Sequence, residues 1–144
     1  MWGILVAALS GALMSVQGVF NSGVTKQTSI WLSAAFVQLT AFVVCVIAWF
    51  ITGKESSVGN LLAVTPKYML LGGVIGAFIT FTVVYSIQAL GPARSAMFIV
   101  TVQVFASYLI ELFGLFGIEK QPFEWRKLLG ILVVIAGLIT FKWK

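Results

Sequence analysis

The stretch SAMFIVTVQVFASYLIELFGLF, residues 95–116, is a run of 22 residues in which Glu111 is the only charged side chain. A helix needs about 20 mostly apolar residues to cross the hydrocarbon core of a bilayer. The run is continuous rather than alternating, which is the pattern of a membrane helix and not of a barrel strand. It therefore predicts a transmembrane helix, and its single acid is a candidate functional residue.

The composition of the whole chain agrees with this prediction. Of its 144 residues, 60% are hydrophobic and only 9% are charged, and the mean hydropathy is +1.08. A soluble domain usually carries about 25% charged residues. A chain this short and apolar has too little polar surface to cover itself in water. We therefore predict an all-α integral membrane protein that forms a single transmembrane domain over residues 1–144.

The same apolar pattern recurs along the chain and predicts five spans, at about residues 2–20, 31–51, 68–90, 95–116 and 128–143. The connecting stretches hold all three prolines and nearly all the charges. Tryptophan prefers the headgroup level of a bilayer, and all five tryptophans fall at predicted span ends: Trp2, Trp31, Trp49, Trp125 and Trp143. Their placement is independent support for the five spans.

Several functional classes are excluded by what the chain lacks. It has no histidine and no aspartate, which removes most metal sites and most acid–base constellations. A single cysteine, Cys45, rules out an intrachain disulfide. The basic residues are scattered between apolar runs, so we assign the net charge of +5 to contact with membrane lipid and not with nucleic acid. We expect no enzymatic activity, no metal and no cofactor.

The charged residues barely specify an orientation in the membrane. With five spans, one side of the membrane holds five basic residues: Lys54, Lys67, Lys120, Arg126 and Lys127. The other side holds four: Lys26, Arg94, Lys142 and Lys144. Basic residues mark the cytoplasmic side, so a count this even predicts dual topology, in which copies insert both ways and pair antiparallel. The alternative is that one dominant helix, or a partner, sets the orientation.

Polar residues form a stripe on the fourth span. Gln103, Ser107 and Glu111 repeat every four residues, so they share one helix face, which should avoid lipid. Two interpretations of Glu111 stay open. It takes a direct part in transport through protonation or cation contact, or it is structural. A structural Glu111 reaches the interface, about 7 Å away at the predicted helix end, or is neutral and bonded to a neighbouring helix.

Other polar residues complete a candidate transport pathway. Gln17 and Asn21 lie four apart in the first span, Gln38 lies in the second and Tyr85 in the third. Arg94 opens the fourth span and is either an interfacial anchor or an electrostatic partner for a substrate or a carboxylate. Small residues at helix-packing spacing predict contact faces on three spans: Ala7, Gly11 and Ser15; Gly72, Gly76 and Thr80; Gly130 and Gly137.

Three stretches carry a family likeness. GALMSVQGVFNSGV (11–24) and LGPARSAMFIVTVQVFASYLIELFGLFG (90–117) resemble two signatures of the YdcZ-type branch of the drug/metabolite transporter superfamily. LLGILVVIAGLITF (128–141) is similar to the last helix of many superfamily members. On this likeness the signature positions are Gly91, Gln103, Glu111, Phe113 and Gly114.

The chain departs from that branch at two places. Val102 stands before Gln103 where the branch usually has glycine, and Glu111 followed by Leu112 stands where the branch usually has Asp-His. The departure at Leu112 leaves the charge but argues against a relay that needs histidine.

The resemblance implies five-helix units that work in antiparallel pairs, as a homodimer or with a homologous, oppositely oriented subunit, giving a ten-helix bundle. It also implies transport by alternating access in the bacterial inner membrane, often coupled to protons. The mostly neutral polar lining suggests a small polar or weakly cationic solute. A small dual-topology ion channel and a non-transporting partner subunit or scaffold remain as alternatives.

Overall fold

The computed structural model describes residues 1–53 and 56–142, the last of these by its backbone alone, and the regular structure in this part is helical. Six α-helices follow one another: α1 (Trp2–Gln27), α2 (Ile30–Ile51), α3 (Val58–Ala63), α4 (Gly72–Leu90), α5 (Pro92–Phe113) and α6 (Trp125–Lys142). Two 3-10 turns lie at Lys67–Leu71 and Leu115–Gly117. The sequence-based predictions for Lys54, Trp143 and Lys144 fall outside the described residues.

Four helices in the described part of the chain are long and apolar enough to cross a membrane: Trp2–Gln27, Ile30–Ile51, Lys67–Leu90 and Pro92–Phe113. They correspond to the first four predicted spans, as expected of an integral membrane protein. The fifth predicted span is also helical, as α6, but its 18 residues include Arg126, Lys127 and Lys142. Five membrane spans therefore stay a prediction.

The first helix is longer than predicted. We expected it to end at about residue 20, but α1 continues to Gln27. The polar residues that suggested a loop are part of the helix. Asn21 is buried, and its carbonyl accepts a hydrogen bond from Ser33 Oγ at 3.2 Å. Only two residues then connect α1 to α2, and Ser29 caps α2 by accepting from Leu32 N.

The helix α5, which corresponds to the fourth predicted span, lies about three residues earlier than the predicted range of 95–116. It starts at Pro92, since proline is well suited to the first helical turn, and it ends at Phe113. The end is set by Gly114, whose left-handed φ of 65° favours glycine over most other residues and terminates the helix. Glu111 therefore lies two residues, about 3 Å, before the helix end.

The chain forms two compact units, Met1–Ala89 and Leu90–Lys144. In the first unit, α1 packs against α2 and approaches α4 closely at Gly18, where an added Cβ would lie 2.7 Å from Ile87 Cδ1. Helices α2 and α4 meet through the stacked rings of Trp31 and Phe81, whose centroids are 4.7 Å apart. Val84 is buried on α4.

In the second unit, α5 packs against α6. The buried side chains include Tyr108 on α5 and, one heptad apart on α6, Ile131 and Leu138. The small-residue faces that we predicted pack only in part. A Cβ added at Gly76 would lie close to Gln38. A Cβ added at any of four other predicted positions would have no atom of the described residues within 4 Å: Gly11, Gly72, Gly130 and Gly137. Within one chain, large apolar residues pack α6 and its glycines lie open.

Candidate functional site

Two predicted residues of the first unit lie along one open groove on α1. The groove has a volume of about 510 Å³ and includes Gln17 and Asn21. Gln17 is exposed, whereas Asn21 is only 7% exposed. The other lining residues are mostly apolar: Ser10, Leu13, Met14, Val16 and Phe20. The helical spacing of four thus places both amides on one face, as predicted.

The other two predicted residues of this unit lie elsewhere. Gln38 is half-buried, and its Nε2 is 3.0 Å from the position of a Cβ on Gly76. Tyr85 is 64% exposed and lies parallel to Phe81, with ring centroids 6.5 Å apart. Neither side chain lines the α1 groove in the described part of the chain. The structure therefore does not bring these four residues together within the single chain.

The remaining predicted residues lie on α5. Gln103 and Ser107 are exposed, and Glu111 is half-buried at the end of their stripe. Eight residues of helix separate Gln103 from Glu111, which is about 12 Å along the axis. Arg94 is exposed in the first turn of the same helix.

Glu111 is part of an ion-pair cluster. Its Oε2 lies 3.4 Å from Nζ of Lys127, and the same Nζ lies 3.2 Å from Oε1 of Glu124. The three side chains keep 37–46% of their surface exposed. One ammonium group is thus shared between two carboxylates, one at the end of α5 and one just before α6.

Tyr108 and the connecting backbone support this cluster. Lys127 Nζ lies 6.0 Å from the centroid of the Tyr108 ring, within the range of a cation–π contact. The Tyr108 hydroxyl accepts a hydrogen bond from Glu124 N at 3.2 Å, and Gln121 N donates to the carbonyl of Glu111 at 2.9 Å. These bonds hold the loop against the end of α5.

The cluster changes the pKa of its cation, Lys127. Lys127 precedes the predicted fifth span, which starts at about residue 128. Its hydrogen bond to Glu124 raises the pKa of the Lys127 ammonium above the ordinary lysine value, and Glu111 acts in the same direction. The ammonium therefore stays charged at neutral pH.

Sequence reasoning missed Tyr108, Glu124 and Lys127 as members of a site. Lys127 and Glu111 are 16 residues apart, a separation that no helical period connects. The available signal was indirect: opposite charges flank a short connection between two neighbouring helices, so their side chains are close enough to pair.

Comparison with known proteins finds one family model, DMT_YdcZ, described as "Putative inner membrane exporter, YdcZ", which matches residues 2–140. No curated protein and no solved structure matches the chain.

Proposed function

The chain belongs to the YdcZ family of DMT-type membrane exporters, and from that premise we propose that it carries a small polar or weakly cationic solute across the bacterial inner membrane. A transporter is the functional class of the family, and the four membrane-length apolar helices suit a multi-pass membrane protein. The solute, the pathway and the mechanism belong to the proposal.

The observation that carries the proposal is the exposed polar stripe on α5. Gln103 and Ser107 lie uncovered on a helix of 22 residues that is otherwise mostly apolar. Lipid offers no hydrogen bonds, so an amide in the middle of such a helix should face protein or a wet cavity. A solute pathway along α5 would hydrate these polar side chains and would use them to bind the solute. Glu111 lies at the end of the stripe.

An antiparallel dimer supplies the symmetry that transport needs. Two inverted five-helix protomers related by an axis in the membrane plane exchange inward-open and outward-open states by rocking around one site. The five-against-four distribution of basic residues favours such a pair. In it, the polar residues of both protomers would line the pathway: Gln17, Asn21, Gln38, Tyr85, Gln103 and Ser107.

Glu111 is proposed to hold a cation or exchange a proton at one end of this pathway. Two residues from the helix end, it is near enough to the membrane surface to exchange with water. Arg94 is proposed as an electrostatic partner at the opposite end of α5. Coupling to protons, if present, would act through Glu111, since it is the only acid within the four membrane-length helices of the described residues.

Transport is tested on the protein reconstituted in liposomes, by the uptake of radiolabelled solutes. Primary amines, quaternary ammonium ions and neutral polar solutes are added in turn, with and without a pH gradient. We expect a saturable response to one class. Gln103→Leu should lower its initial rate at least tenfold, because the amide is replaced by hydrocarbon, whereas Val104→Leu on the same helix should not.

The alternatives give other results. A channel would give uptake that follows the ion gradient without saturating. A scaffold would give no response to any solute in any combination with a pH gradient. Equal transport by Gln103→Leu and the unchanged protein would show that the α5 stripe is not the pathway.

A further inference from the structure

The cluster at the end of α5 already binds an alkylammonium group, namely the side chain of Lys127. Its Nζ lies 3.4 Å from Glu111 Oε2 and 3.2 Å from Glu124 Oε1. We call Tyr108, Glu111 and Glu124 the ammonium site. Two carboxylates against one lysine leave the cluster with a net negative charge, so it still attracts cations.

An aromatic ring completes the site. The Tyr108 ring lies 6.0 Å from Nζ, and Tyr108 is only 7% exposed, so surrounding atoms hold the ring in place. An aromatic face together with carboxylates is the surrounding that proteins use to bind ammonium groups, because the ring and the acids both attract positive charge.

Hydrogen bonds of the backbone hold together the two segments that carry the carboxylates. Gln121 N donates to the Glu111 carbonyl at 2.9 Å, and Glu124 N donates to the Tyr108 hydroxyl at 3.2 Å. Glu111 also lies in the last turn of α5, where the negative end of the helix dipole adds to its charge. The site would therefore keep its shape and its negative potential if the lysine moved away.

We propose that the ammonium site binds the amino group of a transported primary alkylamine and that Lys127 occupies it as a built-in competitor when no solute is bound. This inference rests on the proposed transport function. The solute enters by displacing Lys127 and then follows the polar stripe from Glu111 towards Gln103, about 12 Å away. Lys127 thereby sets how strongly the site binds amines.

The competing explanation is a purely structural ion pair that clamps the connection between α5 and α6. The two explanations make different predictions for the loss of the lysine. Removal of a structural clamp loosens the site and changes cation affinity no more than the loss of the neighbouring charge of Arg126 does. Removal of a competitor frees the carboxylates and makes amine binding tighter.

The test is equilibrium binding of radiolabelled n-butylammonium to the protein in lipid nanodiscs at constant ionic strength. We expect Lys127→Met to bind this probe at least tenfold more tightly than the unchanged protein, because both carboxylates become available. Arg126→Met is the matched control: it removes the same charge at the neighbouring position and should change binding less than threefold. Lys127→Arg keeps a competing cation and should bind like the unchanged protein.

A second substitution identifies the site. Adding Glu111→Gln to Lys127→Met should abolish the gain in affinity. If Lys127→Met binds no more tightly than Arg126→Met, or if the gain survives Glu111→Gln, the proposal is wrong.

If Lys127→Met fails to fold, a measurement on the unchanged protein tests the same displacement of Lys127. The ¹⁵Nζ resonance of Lys127, assigned by its loss in Lys127→Arg, should shift saturably as n-butylammonium is added. An unchanged resonance at saturating probe overturns the proposal. Butylammonium binding without any transport would leave the site standing and overturn the transport function instead, so the two failures are distinguishable.

Discussion

At Gly18, α1 passes so close to α4 that a single methyl group would disturb the contact. An added Cβ would lie 2.7 Å from Ile87 Cδ1 and 3.6 Å from Val83 Cγ1. Close approach through glycine is a usual way to pack helices in lipid, where no hydrophobic force drives them together. Gly18 was not among the small residues predicted to pack, whereas Gly11, which was, is open in the single chain.

This contact predicts an energetic coupling between Gly18 and Ile87. Gly18→Ala should destabilise the protein relative to Gly11→Ala, because the new methyl group must displace the Ile87 side chain. Ile87→Val removes that δ-methyl group, so the double substitution should cost less than the two single substitutions together, by about 0.5–3 kcal/mol. Unfolding in mixed detergent micelles measures the cycle. Additive effects would mean that α1 and α4 are not in contact at this point.

Among the helices, the end of α5 determines which side chains Glu111 contacts. Gly114 adopts φ 65°, and a Cβ there would lie 3.1 Å from Cβ of Lys120. The reversal of the chain at this glycine turns the connection back over the last helical turn. Glu124 and Lys127 consequently reach Glu111.

Replacement of Gly114 should loosen this connection. Gly114→Ala should lower the free energy of unfolding by about 1 kcal/mol or more, because alanine is strained at positive φ and its Cβ crowds Lys120. Gly114→Asn should cost less, since asparagine tolerates this conformation better. Gly130→Ala, in the open interior of α6, should be neutral or stabilising by up to about 1 kcal/mol. Equal effects of Gly114→Ala and Gly130→Ala in the same unfolding assay would contradict the glycine cap.

Most large apolar side chains among the described residues are exposed in the single chain, for example Phe42, Phe78 and Val133. Lipid can cover such residues, but it cannot satisfy the exposed polar groups of α1 and α5. The same chain inserted in both orientations would supply a second polar surface to meet the first, as the even distribution of basic residues suggests.

Dual insertion is tested by labelling single cysteines without changing any charge. In a Cys45→Ala background, Thr28→Cys places the thiol in the first connection and Asn60→Cys places it in the second, on the opposite side of the membrane. We expect a membrane-impermeant thiol reagent applied to intact cells to label about half the molecules of each variant. Labelling of one variant and not of the other would contradict the homodimer and indicate an oppositely oriented second subunit.

The helical class and the approximate positions of the helices follow from local properties of the chain. Apolar runs of membrane length favour helices because each backbone group must find its hydrogen-bond partner within the segment. The helical period alone also placed Gln17 beside Asn21, and Gln103, Ser107 and Glu111 on one stripe. These relations involve neighbours four residues apart and need no knowledge of the rest of the fold.

The ends of the helices and the partners of Glu111 depend on contacts that no local pattern contains. α1 continues past Asn21 with Asn21 and Ser22 buried, and Ser33 on the next helix donates a further hydrogen bond to the Asn21 carbonyl. Lys127 reaches Glu111 across 16 residues only because Gly114 turns the chain back and Tyr108 holds the loop. Such contacts bring together atoms whose positions depend on every dihedral angle between them, so they are defined only in the folded chain.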